Sequence, residues 1–134
     1  MIAGQWVGPL RSAADPLEPI AAEFERGVAV LRGQRPILGC PLNNLAQEMN
    51  PLDDGFRART SAVFDLWRAT VAGAIARGQQ AGVVRSGIDA ADAAHALVAQ
   101  IEGTLSLARN SQEPADLTTG ARGLRRHLES MRAP

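Results

Sequence analysis

The residue types able to carry chemistry are few in this 134-residue chain: one cysteine, Cys40, and two histidines, His95 and His127. A Cys–His nucleophile needs the thiol beside an imidazole, with a third group orienting the ring. Cys40 has no local signature of that kind. It stands in Gly39-Cys40-Pro41 at the start of a helical stretch and reads there as a small apolar residue rather than a reactive thiol. Asp92-Ala-Ala-His95 has the acid-x-x-His spacing that puts both side chains on one helical face. Metal-binding bundles need a second copy of that motif and further carboxylates, and neither is visible. His95 is read as a partly exposed helix residue. The expectation is a non-enzymatic protein with no catalytic residue, metal or cofactor.

Two other sets of residues point to binding. Trp6, Phe64 and Trp67 supply aromatic surface, and Asn43, Asn44 and Gln47 are amides able to anchor a ligand inside an apolar pocket. Ordinary core packing explains the same aromatics. Glu102 is the sharper feature, because it lies within an almost wholly apolar run, where an unpaired carboxylate is costly. It either meets an arginine or hydroxyl across an interface or faces a cavity. Arg122, Arg125, Arg126 and Arg132 cluster near the C-terminus. Without stacking aromatics nearby, they read as a solvated face near a helix end, where cations are favoured.

Composition narrows the classes further. Hydrophobic residues make up 46% and charged residues 21%, which is globular rather than disordered. The formal net charge is 0, so phosphate neutralisation is not the work of this chain, and no specific duplex DNA binding is expected from it alone. All basic residues apart from histidine are arginine; there is no lysine. A single cysteine excludes an internal disulfide and a cysteine-based zinc cage. No apolar run approaches the roughly 20 residues of a membrane span, and the first residues do not resemble a secretory signal. A cytoplasmic chain forming one domain over 1–134 is expected.

The elements that must position these residues are helical. Leu17, Ile20, Phe24, Val28 and Leu31 form one buried stripe behind Asp15-Pro16-Leu17-Glu18, where Asp15 caps, Pro16 takes the first helical position and Glu18 reaches back. Gly33 and Pro36 stop that helix. Residues 40–49 form a short helix with Leu42, Leu45, Ala46 and Met49 inward, ended by the break at 51–54. A long helix opens at Asp53 or Asp54 and runs to about Gly82, with Phe64, Trp67, Val71 and Ile75 on its inward stripe. After a link at 83–88, Asp89 and Asp92 start a helix over 90–109 that is apolar on two faces. One face is Ala94, Leu97, Val98, Ile101, Leu105 and Ala108; the other is Ala93, Ala96, Gln100, Gly103 and Leu107, mostly small. A helix apolar around most of its circumference is buried on two sides, and one of these is read as an oligomer contact. A last helix from Glu113-Pro114 carries Leu117, Ala121, Leu124, Leu128 and Met131. Residues 1–14 look like the tail of a preceding helix.

Three strings carry a resemblance: Asp15-Pro16-Leu17-Glu18, Gly39-Cys40-Pro41-Leu42-Asn43-Asn44-Leu45-Ala46, and Ile101-Glu102-Gly103 through Arg109. With the helix order, they resemble the effector-binding and dimerisation region of TetR-family transcriptional repressors over about residues 5–130. That resemblance implies an all-α bundle of about five to six helices, whose last two pair with their two-fold copies as a four-helix interface. It implies a homodimer through Ala96, Gly103, Leu107, Leu124 and Leu128. It also implies an apolar or amphipathic effector held by Trp6, Cys40, Asn44, Phe64, Trp67 and Glu102. Such repressors begin with a three-helix DNA-binding domain that nothing before Met1 supplies, so DNA contact is expected only through that missing part. A solid core without a cavity would leave a dimerisation module alone.

Overall fold

A computed structural model describes residues 8–134, and Trp6 lies outside the described residues. Five helices cover most of them: α1 Leu17–Arg32, α2 Pro41–Met49, α3 Asp54–Gln80, α4 Ala90–Ser111 and α5 Pro114–Ser130. The fold is an all-α bundle. α4 lies at its centre and packs on both α3 and α5, while α5 also packs on α1 and α2 packs against α3.

The boundaries follow from the capping residues. The Asp53 carboxylate accepts from the Phe56 N–H at 2.7 Å, and Asp89 accepts from Ala91 and Asp92 at 2.9 Å each. Asp15 accepts from Leu17 at 2.9 Å, so Pro16 sits one place earlier than the sequence predicts, as the cap of α1. Glu18 does not reach back to that cap; it faces Arg125 of α5 instead. The link after α3 pairs with the C-terminus at Val83 and Val84: Arg85 donates to the Met131 carbonyl at 3.0 Å and Ala133 to that of Val83 at 2.8 Å.

The core runs through Leu17, Ile20, Phe24, Trp67, Ile75, Leu97 and Ile101 to Leu117, Leu124 and Leu128. The last two correct an expectation, because each is only 1% exposed within one chain and so is already spent on the chain's own core. Ala93 is buried in the same way. The outward face of α4 is left to Ala96, Ala99, Gly103 and Leu107.

Gly120 sets the approach of α5 to α4. A Cβ there would overlap the side chain of Thr104, whose hydroxyl donates to the Gln100 carbonyl at 2.9 Å. Gly120→Ala is expected to cost about 1–3 kcal/mol by overpacking. Gly123→Ala, whose Cβ meets only the Gln100 amide at 3.5 Å, is expected to gain up to about 1 kcal/mol of helix propensity. Urea midpoints compared with unchanged slopes check both; equal effects would contradict this packing.

Candidate functional site

A cleft of about 260 Å³ opens beside Glu102. Its walls come from the middle and last turn of α1, the turn 39–41 and the C-terminal half of α4, with Trp67 of α3 on one wall. It lies between α1 and α4.

The turn that brings Cys40 to the cleft is held by a long-range contact. Gln112, at the left-handed C-terminus of α4 with φ 59°, reads the backbone of Ile37 on both sides. Its Oε1 accepts from the Ile37 N–H at 2.9 Å and its Nε2 donates to the Ile37 carbonyl at 3.0 Å. Gly39 then takes φ +69°, and a Cβ on it would stand 3.1 Å from the Leu105 carbonyl. Only glycine meets both conditions at low cost. Cys40 follows as the N-cap of α2, its Sγ accepting from the Asn43 N–H at 3.5 Å. Burial pushes its thiol up to about 11, and the Glu102 charge adds to that. A thiol held protonated is a poor nucleophile, so its work here is capping and lining.

Glu102 is the chemically distinctive residue of the cleft. It is 8% exposed, and neither carboxylate oxygen has a hydrogen-bond partner of good geometry. Burial raises its pKa above the ordinary carboxylate value, and the neighbouring Cys40 thiol and Asn43 amide offset this only in part. A carboxyl that binds its proton more tightly when folded stabilises the fold at pH below its unfolded value, and this is lost as pH rises through the raised folded value. Glu102→Gln should therefore be more stable than wild type at neutral pH, with the difference shrinking as pH falls towards the ordinary glutamate value of 4.5. Thermal midpoints of the two proteins across that range check this; a pH-independent difference would contradict it.

The other expected ligand residues divide. Cys40, Trp67 and Glu102 line the cleft together. Phe64 does not; its ring stacks on Trp67 with centroids 6.4 Å apart and backs that wall. Asn44 is turned away, donating to the Leu38 carbonyl at 2.7 Å. The sequence reading missed the whole α1 wall: Glu23, Phe24, Gly27, Val30 and Leu31. A signal existed in Gly27, an isolated glycine inside a helical pattern. Asp92 and His95 lie together on the surface, and among the described residues no three potential metal ligands come together. Arg125 pairs with Glu25 at 2.7 Å and Glu18 at 3.0 Å, and Arg132 with Asp15 at 2.9 Å. These arginines tie α5 and the C-terminus to α1 and its cap.

Comparison with known proteins agrees with this architecture. Residues 16–124 match the family described as "Tetracyclin repressor-like, C-terminal domain". Among solved structures, a TetR-family transcriptional regulator from Cytophaga hutchinsonii superposes with TM-score 0.81 at 17% identity, over 99% of this chain and 66% of that one. A TetR transcriptional regulator from Chloroflexus aurantiacus gives 0.82 at 26%, over 99% and 68%. A regulatory protein TetR from Rhodobacter sphaeroides gives 0.76 at 27%, over 94% and 67%. The chain thus spans about two-thirds of the length of these proteins. No curated protein matches it in sequence. Among the described residues no helix is long and apolar enough to cross a membrane.

Proposed function

This chain belongs to the tetracycline-repressor-like C-terminal domain family of transcriptional regulators, and from that premise we propose that it is the effector-binding and dimerisation part of a cytoplasmic repressor. The effector is an apolar or amphipathic small molecule bound in the cleft between α1 and α4. The observation that carries this reading is the cleft itself: apolar walls from Phe24, Trp67, Ile101 and Leu105 converge on one buried, unsatisfied carboxylate. Ligand sites combine a mostly apolar lining with a few placed polar groups in this way. A volume of about 260 Å³ suits a small effector, since drug-sized sites begin near roughly 300 Å³.

The partner is a second copy of the chain. Ala96, Ala99, Gly103 and Leu107 form an outward stripe on α4 beside α5, and Leu107 is 64% exposed. The effector acts by binding one arrangement of the two copies better than another. DNA contact belongs to an N-terminal domain of the full-length regulator. A chain of net charge 0 is expected to bind an operator-sized duplex no more tightly than random sequence.

Gly27→Leu tests the cleft without harming the fold. A Cβ at Gly27 meets nothing within 4 Å, so the new side chain enters the cleft while the helix loses a glycine. Stability should rise by about 0.5–1 kcal/mol, and small-molecule binding should fall at least about tenfold, roughly 1.4 kcal/mol. Native mass spectrometry of the purified protein reads the bound ligand and thermal melting reads the fold. Undiminished ligand retention in a stabilised Gly27→Leu protein would contradict the assignment.

A further inference from the structure

The chemical class of the effector follows from the charge of the cleft, and this deepening rests on the cleft being the effector site. The ionisable side chains on its lining are Glu23, Glu102 and the thiol of Cys40. Both acids are more than nine-tenths buried. Glu23 is matched by Arg26, which lies outside the lining at the surface. Glu102 has no such match: only the Cys40 thiol and the Asn43 amide lie close to it, and neither of its oxygens has a hydrogen-bond partner of good geometry. The other basic residue nearby, Arg109, is exposed and packs its stem beside Gly39. No arginine stands on the lining, so the cleft has an acidic interior and aromatic walls.

We infer that the effector is a cationic amphiphile: a protonated amine carried on an apolar body, with the ammonium against Glu102 and the body between Phe24 and Trp67. A buried carboxylate is destabilised chiefly by the loss of its hydration, and a counter-cation that also donates hydrogen bonds restores most of it. An alcohol donates one neutral hydrogen bond and leaves the charge uncompensated. An anionic effector would be repelled by the unmatched Glu102. The rings of Phe24 and Trp67 add a favourable face for a cation.

The test compares phenylbutylamine with phenylbutanol, which differ only at the terminal group. Both are titrated into the 134-residue chain at neutral pH by calorimetry, with circular dichroism confirming the fold. The wild-type chain should bind the amine at least about tenfold more tightly than the alcohol. Glu102→Gln, which keeps the shape and removes the charge, should bind the two alike. Equal or tighter binding of the alcohol by wild type would overturn the inference, while leaving the cleft as an effector site. An amine preference that survives in Glu102→Gln would overturn it equally. Binding of neither compound to the folded wild-type chain would overturn both this inference and the reading it rests on.

Discussion

Trp67→Ala is expected to lower the unfolding free energy by about 3–5 kcal/mol. The indole is 2% exposed; it lies on α3, stacks on Phe64 of the same helix, and forms a wall of the cleft towards α1 and α4. Truncation removes a large buried aromatic surface and leaves a void continuous with the cleft, so neighbours cannot collapse to fill it. Urea unfolding at one fixed protein concentration measures the loss, so that any self-association contributes equally to both proteins. The same variant should bind bulkier ligands than wild type accepts. A loss below about 1 kcal/mol, the typical cost of an ordinary substitution, would mean that Trp67 is not the pillar of the α3 wall.

Gly103→Leu is expected to weaken self-association at least about a hundredfold, near 2.8 kcal/mol, while leaving the isolated chain as stable or more so. Within one chain, nothing lies within 4 Å of a Cβ at Gly103, so leucine there meets no neighbour and improves the helix. Across a two-fold interface, the same side chain enters the space that small residues leave for a partner backbone, and overpacking forces the helices apart. Leu107→Arg should act in the same direction by putting charge on the stripe. Sedimentation equilibrium reads the dissociation constants. A wild-type chain that stays monomeric at high micromolar concentration would refute the dimer, as would a Gly103→Leu protein that associates as tightly as wild type.

The helices and most of the core are legible in the sequence because local physics writes them directly. Asp53 and Asp89 announce helix starts, Pro41 and Pro114 take first-turn positions, and the Leu17–Leu31 stripe has only one inward face. Glu102 stands out because a carboxylate in an apolar run has to be explained, and it does lie buried at the cleft. The location of the cleft is not legible. Periodicity says which face of a helix is inward but not which helix that face meets, so Trp67 and Phe64 look equivalent although only Trp67 reaches the cleft. Glu23 is hidden because an acid followed three residues later by Arg26 reads as a surface ion pair. The Gln112–Ile37 clamp joins positions 75 apart in sequence and leaves no local trace. The family resemblance places Leu124 and Leu128 at the interface. Their own spacing puts them on the same stripe as Leu117 and Ala121, and that buried stripe is where they are found.

The most direct test of the effector site is amide chemical-shift mapping of the isotopically labelled chain, titrated with small apolar and amphipathic molecules. The account predicts saturable shifts concentrated on Gly27, Gly39, Cys40, Ile101, Glu102 and Leu105, which come from three segments distant in sequence and adjacent around the cleft. Shifts that avoid these residues, or a folded chain that responds to none of the molecules, would contradict it.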